Sequence, residues 1–259
     1  MSAWSKEVSV ATEAAKKAAE VALRYQAGII AETKADLSPV TKADRECERL
    51  IAQILSDAFP LDGILGEEGA ARESRSGRTW IIDPIDGTRD YVRGNPLWAN
   101  LIGLEVGEDV VAGVVNLPML GNLYKAARGG GAFRNDSPIR VSSKGSISES
   151  VLCINAFGKI DEMPFRDELL EWMARFWAVR GMGGAPDAMM VASGQADIWI
   201  EPRAASWDFA ALKVIAEEAG GIFLNFNGGK CIHAGNAIVC TPGLEEEARK
   251  LLRLPFVTA

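Results

Sequence analysis

The chain opens with two segments in which small and apolar residues recur at helical spacing. From Glu7 to about Gln26, alanines and valines alternate with lysines and glutamates in this way, which predicts a first helix. A second helix is predicted from about Ala43 to Ala58, ahead of Pro60. The proline and polar residues between the two, at 34–44, indicate an ordered loop.

Short apolar stretches follow, and their close spacing, with glycine or aspartate between them, predicts an antiparallel meander. They are Gly63–Leu65, Thr79–Ile82, Asn100–Val106, Val110–Val115 and Asn122–Ala126. The glycine-rich segment Arg128–Phe133 lacks the Lys-Ser/Thr of a phosphate-binding P-loop, so we expect a hairpin turn there. The polar segment Ser142–Ser150 is the best candidate for a boundary between two regions, 1–145 and 146–259.

Beyond that segment, strand and helix patterns alternate, which indicates an α/β region. The predicted strands are Val151–Asn155, Ala178–Arg180, Asp197–Ile200, Ile222–Asn225 and Ala237–Cys240. The predicted helices lie near Phe165–Trp177, Asp187–Ser193, Asp208–Ala219 and Leu244–Leu252. We therefore expect an α/β (α+β) protein, with helices and an antiparallel sheet in the first region and alternating elements in the second.

Composition narrows the class of protein. The 259 residues are 48% hydrophobic and 24% charged, a balance typical of a globular chain with a sizeable core. The formal net charge of −7 disfavours nucleic acid and anionic membranes as partners, and a phosphate substrate would need a local cation. The start of the chain is not typical of a secretory signal, and the longest apolar stretch, Val110–Leu120, is too short for a membrane span. A soluble, cytoplasmic protein is expected.

Cysteine and histidine are scarce. The four cysteines, Cys47, Cys153, Cys231 and Cys240, form no C-x-x-C pair, so we expect reduced and mostly buried thiols rather than disulfides or a zinc site. The single histidine, His233, lies in a glycine-rich segment, where a lone histidine is typically structural. With a single histidine, a histidine-based triad or a His-rich zinc site is disfavoured, so catalysis must depend on carboxylates.

The segment Trp80-Ile-Ile-Asp-Pro-Ile-Asp-Gly-Thr-Arg-Asp90 is the most informative one. An apolar strand leads to Asp83, Pro84 is expected to end that strand, and Asp86 follows three positions after Asp83. Two carboxylates at one turn repel each other unless a cation lies between them, and oxygen-only ligation favours a hard ion such as Mg²⁺. Gly87 and Thr88, at an apparent helix start, would offer unpaired amides to an anion. Taken alone, the segment also fits an ordinary turn with an aspartate N-cap.

Two other acidic segments are ambiguous on local evidence. Glu67 and Glu68, in Gly66-Glu-Glu-Gly69, follow an apolar stretch and are also typical of a solvated pair in a loop. Asp208, in Ser206-Trp-Asp208, stands just before an apolar helical run and is expected to be the N-cap of that helix.

Together the three segments resemble the motif set of the inositol monophosphatase family: Gly-Glu-Glu, then a hydrophobic residue plus Asp-Pro-Ile-Asp-Gly-Thr, then Trp-Asp near the start of a late helix. Their order and spacing agree with the family. The resemblance extends over nearly the whole chain, from Lys34-x-Asp-x-Ser-Pro-Val-Thr-x-Ala-Asp44 to Glu217-Glu-Ala-Gly-Gly221.

The resemblance implies a layered αβαβα sandwich of the inositol monophosphatase and fructose bisphosphatase type, with the active site between the two regions and most metal ligands in the first. It implies two or three Mg²⁺ ions held by Glu67, Asp83, the Ile85 carbonyl, Asp86 and Asp208. It also implies that a metal-activated water attacks a small-molecule phosphate ester, with Thr88, Glu67 and Asp44 as catalytic residues. Lithium sensitivity and a homodimer are further family properties that it implies.

The resemblance also assigns the residues around the metals. Implied substrate-binding residues are Asp86, Gly87, Thr88, Gly184, Ala185, Glu201 and Asp208. Implied outer residues are Lys34, Asp44 and Glu68.

The alcohol that carries the phosphate is less well defined. Thr88-Arg-Asp-Tyr-Val-Arg-Gly-Asn-Pro-Leu-Trp98 and Glu201-Pro202 look like the histidinol-phosphatase branch of the family. Gly183-Gly-Ala185 is instead close to the Gly-Thr-Ala of inositol monophosphatases. A carboxylate such as Glu201 serves either alcohol, since it accepts hydrogen bonds from a polyol or pairs with the histidinol ammonium. Histidinol phosphate is the predicted substrate, and inositol 1-phosphate is the alternative.

Two other functions stay open from the sequence. A nucleotide or sugar bisphosphate phosphatase shares the metal motif, although Thr-Arg-Asp-Tyr91 stands where nucleotide phosphatases typically have Thr-Lys-Glu-Phe. A metal- and phosphate-binding scaffold without catalysis is the non-enzyme alternative. It is disfavoured because every expected ligand is present as aspartate or glutamate.

Overall fold

A computed structural model describes residues 3–26, 28–35 and 37–255. Its helices are α1 (Ser5–Gln26), α2 (Lys42–Ala58), α3 (Thr88–Val92), α4 (Arg166–Met173), α5 (Gly184–Ala192), α6 (Ser206–Glu218) and α7 (Glu245–Leu251). Among these described residues, no helix is both long enough and apolar enough to cross a membrane.

The strands form three sheets. A short hairpin pairs β1 (Ala31–Thr33) with β2 (Pro39–Thr41). The largest sheet has the order β10-β9-β8-β7-β6-β5-β3-β4. Its strands are β3 (Gly63–Gly66), β4 (Ala71–Arg72), β5 (Arg78–Asp86), β6 (Ala99–Val106), β7 (Asp109–Leu117), β8 (Asn122–Ala127), β9 (Gly131–Arg134) and β10 (Ser137–Ile139). Strands β5 to β8 form an antiparallel meander as predicted, and β9 and β10 extend it. The prediction was wrong for Gly63–Leu65, because β3 pairs with β5 in parallel.

The third sheet has five strands in the order β12-β11-β13-β15-β14. They are β11 (Val151–Ile154), β12 (Ala178–Arg180), β13 (Ile198–Glu201), β14 (Ile222–Leu224) and β15 (Ala237–Cys240). Strand β11 pairs in parallel with both β12 and β13, whereas β15 is antiparallel to its neighbours.

Three apolar cores hold these elements in five layers. The alanine-rich face of α1 packs with α2 against the outer face of the eight-stranded sheet. Helices α5 and α6 lie between the two large sheets, and α4 and α7 cover the far face of the five-stranded sheet. The predicted layered αβαβα arrangement is therefore confirmed.

Two strand glycines allow α6 to approach the eight-stranded sheet closely. A Cβ at Gly103 would lie 2.6 Å from Ala210 Cβ, and a Cβ at Gly113 would lie 2.5 Å from Val214 Cγ1. Because real Cβ atoms are not found at such distances, any side chain at these positions would push the helix away from the sheet. The glycines thus set the position of the start of α6, where Asp208 lies.

Most predicted elements are confirmed to within a few residues, and two boundaries were wrong. Segment 34–44 is not all loop: β2 occupies Pro39–Thr41, and α2 begins at Lys42 with Thr41 as its N-cap. Asp36 of this segment lies outside the described residues. The helix predicted to reach Trp177 ends at Met173, because the Trp177 amide donates to Ser150 O and leads into β12.

The structure shows where the glycine-rich hairpin, the cysteines and the histidine lie. The turn between β8 and β9 is confirmed, and the Glu218 carboxylate fastens it to α6 by accepting from the Gly129 and Gly131 amides, each at 2.8 Å. All four cysteines are free thiols, and only Cys231 is exposed. His233 lies on the surface with its Nε2 atom 2.9 Å from Glu105 Oε1.

Candidate active site

Strand β5 delivers the first two carboxylates of the candidate site. Contrary to the prediction, Pro84 does not end the strand. Pairing with β6 continues to Asp86 after a shift in register between Asp83 and Asp86. Proline is tolerated at such an irregularity because no ladder hydrogen bond is needed from its nitrogen. The Asn100 carboxamide donates to Pro84 O at 2.7 Å, and the Ile85 amide donates to Asp83 Oδ1 at 3.0 Å.

Asp208 comes from α6 and completes a compact cluster. Single carboxylate oxygens of Asp83, Asp86 and Asp208 lie within 4.8 Å of one another. Asp208 was predicted as an N-cap, but the N-cap is Ala205, and Asp208 stands three residues further along. From there its Oδ2 atom accepts from the Ala205 amide at 2.6 Å. Asp208 therefore stabilises the helix start and also faces the cluster.

The cluster is strongly self-repulsive without a cation. Burial, followed by the charges of Glu67, Asp208 and Asp86, raises the pKa of Asp83 well above its usual range. Burial raises the pKa of Asp86 to about 6 and that of Asp208 to about 7, and neighbouring carboxylates add to both shifts. A buried set of oxygen ligands whose charges repel one another fits a hard divalent cation such as Mg²⁺.

Glu67 lies beside this cluster and forms an ion pair with Lys34. It follows β3, and its amide donates to Ile82 O at 3.1 Å. Its Oε1 atom accepts from Lys34 Nζ at 2.8 Å, and the same ammonium lies 2.5 Å from Glu68 Oε1. Thus the three residues Lys34, Glu67 and Glu68 are brought together, and the Glu67 carboxylate also lies close enough to Asp83 for its charge to raise the pKa of Asp83.

Sequence reasoning missed Glu48, which shapes the turn that carries Glu67. The buried Glu48 carboxylate accepts from the Glu68 amide and the Ala70 amide, each at 2.7 Å. A Cβ at Gly66 would lie 2.3 Å from Glu48 Oε2, so only glycine fits there. Glu48 lies four residues after Asp44 on the second helix, so both side chains lie on one face of it. That spacing was the sequence signal that could have identified Glu48.

Two of the predicted catalytic residues, Thr88 and Asp44, are also brought together. Thr88 Oγ1 lies 3.1 Å from the Ile85 carbonyl and 3.4 Å from Asp44 Oδ1. Asp44 is fully buried, and its Oδ2 atom accepts from the Thr41 amide and hydroxyl. Gly87, in the left-handed conformation with φ of 81°, turns the chain from β5 into α3. The Thr88 hydroxyl is thus held at the junction of metal-binding and outer residues.

Gly184 and Ala185 reach the cluster from the start of α5. The Ala185 amide donates to Asp86 Oδ2 at 2.9 Å, and a Cβ at Gly184 would lie 3.3 Å from Asp86 Oδ1. The preceding loop is held by Asp187, whose buried carboxylate accepts from the Met182 and Gly183 amides.

A cavity of about 550 Å³ connects these groups with the five-stranded sheet. Glu201, at the end of β13, lines its wall and is only 3% exposed. Its Oε2 atom accepts from Asn155 Nδ2 at 2.6 Å, and its Oε1 atom has no hydrogen-bond partner among the described residues. Burial raises the pKa of Glu201 to about 8, against the lowering effect of the Asn155 hydrogen bond. Asn155 was not singled out in the sequence.

The layered α+β fold and the buried carboxylate cluster beside a cavity define the class: an α+β protein with an acidic cluster that could hold a metal ion. The model of the inositol monophosphatase family matches residues 4–254. This chain therefore belongs to the inositol monophosphatase family, and it is a phosphoric monoester hydrolase.

Individual relatives carry two different activity names. A histidinol-phosphatase of Chlorobaculum parvum is 40% identical over 235 residues, covering 90% of this chain and 91% of that protein. An inositol-1-monophosphatase of Rhizobium meliloti is 35% identical over 222 residues, covering 84% of each. The solved structure of extragenic suppressor protein suhB from Bartonella henselae has a TM-score of 0.89 and 31% identity, and covers 97% of this chain and 100% of that one.

Proposed function

We propose that this hydrolase is Mg²⁺-dependent and that histidinol phosphate is its substrate. The observation that carries the metal dependence is the convergence of Asp83, Asp86 and Asp208 within 4.8 Å. Such a buried cluster of carboxylates is stabilised by a divalent cation. For the alcohol, support comes from the histidinol-phosphatase relatives and from the buried Glu201 oxygen without a partner.

The residues that would hold two to three Mg²⁺ ions are Glu67, Asp83, the Ile85 carbonyl, Asp86 and Asp208. When bound, the ions would neutralise the phosphate, lower the pKa of a water and stabilise the departing alkoxide. Outside these ligands, Lys34 and Glu68 are the proposed outer residues, and Lys34 Nζ lies 2.8 Å from Glu67 Oε1.

The chain's own groups position the reactants. The Thr88 hydroxyl, between Asp44 Oδ1 and the Ile85 carbonyl, would orient the attacking water, and Glu67 would accept its proton. The Gly87 and Thr88 amides would donate to the phosphate oxygens. The Ala185 amide, which donates to Asp86 Oδ2, would position Asp86 beside the phosphate.

Glu201 would bind the alcohol on the other side of the cavity. The positive charge of the histidinol ammonium would favour the ionised form of the buried Glu201 carboxyl, against the effect of burial. The free oxygen would then accept a charge-assisted hydrogen bond, which is stronger than a neutral one. The same oxygen accepts a hydroxyl, so inositol 1-phosphate is the second candidate, favoured by the relatives that carry that name.

The direct test is phosphate release from histidinol phosphate, inositol 1-phosphate, fructose 1,6-bisphosphate and adenosine 3′,5′-bisphosphate, with Mg²⁺ and after chelation. We expect the highest kcat/KM with histidinol phosphate, and loss of all turnover without divalent cations. Preference for a bisphosphate would contradict the proposed substrate, and no turnover of any ester would contradict the Mg²⁺-dependent mechanism and restore the scaffold alternative. Lithium inhibition and a homodimer stay predictions from the family resemblance, and a cytoplasmic location stays a prediction from the sequence.

A further inference from the structure

Asn155 and Glu201 stand at corresponding ends of two adjacent parallel strands. Ile154 is in register with Ile200, so the next residue on each strand emerges at the same edge of the five-stranded sheet. The Asn155 amide donates to Ile200 O at 3.0 Å, which fixes the backbone of Asn155 beside that of Glu201. The carboxyl ends of parallel strands are a common position for ligand sites, and here both residues line the cavity.

The chain turns sharply directly after Asn155. Ala156 has φ of 53° and ψ of 45°, the left-handed conformation that residues with a Cβ rarely adopt. This turn leads the backbone away from the sheet and leaves the Asn155 side chain at the strand end. Backbone strain of this kind is maintained only where the surrounding structure requires it.

The hydrogen bond between the two side chains divides the Glu201 carboxylate into two different oxygens. Oε2 is occupied by Asn155 Nδ2 at 2.6 Å, whereas Oε1 is buried and has no partner among the described residues. A buried acceptor without a partner is destabilising, and a donor on a ligand would satisfy it. The hydrogen bond from Asn155 favours one orientation of the carboxylate, in which Oε1 is the oxygen left for a ligand.

We propose that Asn155 is the positioning residue of the alcohol subsite: it holds Glu201 with one oxygen free, and so selects leaving groups that carry an ammonium or hydroxyl donor. This inference rests on the proposed phosphatase function, since Glu201 meets the alcohol only if the phosphate lies at the aspartate cluster. Asn155 acts through Glu201 and takes no part in the attack on phosphorus.

The first test compares histidinol phosphate with phenyl phosphate, whose alcohol carries no further donor. We expect Asn155→Ala and the nearly isosteric Asn155→Leu to lower the ratio of the two kcat/KM values by about 10-fold, mainly through KM for histidinol phosphate. The matched control is Asn227→Ala, at an exposed position away from the cavity, which should keep the wild-type ratio. Equal losses with both substrates, or a wild-type ratio in Asn155→Leu, would overturn the inference.

The second test needs no turnover. L-Histidinol is titrated by calorimetry into protein containing Mg²⁺ and inorganic phosphate, and Asn155→Ala should weaken its binding by about 10-fold. If wild-type protein fails to hydrolyse histidinol phosphate but binds L-histidinol in this Asn155-dependent way, the proposed substrate is wrong and the inference stands. Unchanged affinity in Asn155→Ala, or no binding of L-histidinol to wild-type protein, would overturn it. Inositol 1-phosphate in the kinetic comparison separates selection by hydroxyl groups from selection by the ammonium.

Discussion

The two walls of the cavity are built on different principles. On the wall formed by the eight-stranded sheet, Asp83 and Asp86 lie among other carboxylates and are each held by a backbone amide, at 3.0 Å from Ile85 and 2.9 Å from Ala185. On the wall formed by the five-stranded sheet, Glu201 is held by one side chain, Asn155, and keeps one oxygen free. We propose that the first wall binds a cation and that the second wall binds a hydrogen-bond donor of the alcohol.

This difference explains why the chemistry is easier to assign than the substrate. Mutual repulsion on the first wall can be relieved by metal ions, whatever alcohol is attached to the phosphate. We propose that the Asn155–Glu201 pair on the second wall selects the alcohol, so one substitution there should change the substrate preference. Relatives named histidinol-phosphatase and inositol-1-monophosphatase are consistent with one conserved chemistry and a variable alcohol.

The largest effect is expected from breaking the first wall. Asp83→Asn removes one ligand charge from the buried cluster, so turnover should fall by about 1,000-fold or more while the fold is kept. Steady-state phosphate release and circular dichroism measure the two properties. The exposed Asp167→Asn, at a residue whose side chain is 84% exposed, is the matched control. Wild-type turnover from Asp83→Asn would contradict the assignment.

A smaller effect is expected from the second wall. Glu201→Gln keeps the size of the side chain but removes its charge, so kcat/KM for histidinol phosphate should fall by about 10- to 100-fold. Phenyl phosphate should be affected much less. Glu171→Gln, at an exposed position on α4, should leave both values as in the wild type. If Glu201→Gln lowers kcat/KM equally for both substrates, Glu201 does not recognise the alcohol.

The turn that carries Glu67 is sensitive to packing. Gly66→Ala places a Cβ within 2.3 Å of Glu48 Oε2, and that carboxylate is fixed by the Glu68 and Ala70 amides. The expected loss is about 1–3 kcal/mol in the free energy of unfolding, together with reduced turnover. Urea denaturation measures it, and Gly145→Ala, where a Cβ meets nothing closer than 3.9 Å, is the control. Equal stability of the two variants would show that Glu48 does not define the turn.

The repulsion on the first wall predicts a pH-dependent stability in metal-free protein. The folded-state pKa of Asp86 is about 6 and that of Asp208 about 7, both raised from 3.8. The folded state therefore binds more protons than the unfolded state, so this stability is present below pH about 4 and is lost as the pH rises through about 6–7. Thermal unfolding after chelation should show Tm falling by about 5 °C or more from pH 5 to pH 8. Added Mg²⁺ should raise Tm most at pH 8, and a Tm that Mg²⁺ does not change would argue against the cation site.

The smallest effect is expected at Ala156. Because its φ is 53°, Ala156→Gly relieves left-handed strain of about 1–2 kcal/mol but increases the entropy of the unfolded chain. The net gain in unfolding free energy should be about 0.5 kcal/mol. Thermal or urea denaturation would detect it, and a clear loss of stability would show that the Ala156 methyl group contributes packing that offsets the strain.

Individual helices and strands were predicted from local patterns, whereas the layered fold and the complete cluster were implied by the family resemblance. Helical spacing of alanines gave α1, and Asp83 and Asp86 are close in sequence and therefore close in space. What the sequence could not predict depends on tertiary pairing. The continuation of β5 through Pro84 depends on its pairing with β6. The contact between Asn155 and Glu201 joins residues that are 46 positions apart in the sequence.

The retention of Glu67 by Lys34 was also not predictable from spacing. The resemblance placed both residues near the metals, but their 2.8 Å ion pair depends on the β1–β2 hairpin, which the sequence did not indicate. The role of Asp208 was predicted correctly as helix-stabilising, yet its place within the first turn was wrong, because the carboxylate reaches backwards to Ala205. Contacts between side chains that are far apart in the sequence cannot be predicted from local patterns.

We propose that the cluster of Asp83, Asp86 and Asp208 binds the divalent cation on which turnover depends. This is tested by calorimetric titration of Mg²⁺ into chelator-treated protein, with wild type and Asp83→Asn compared in one buffer. We expect saturable binding in the wild type, at concentrations that also restore phosphate release, and at least about 10-fold weaker binding in Asp83→Asn. Full phosphate release without divalent cations, or equal Mg²⁺ affinity in the two proteins, would contradict it.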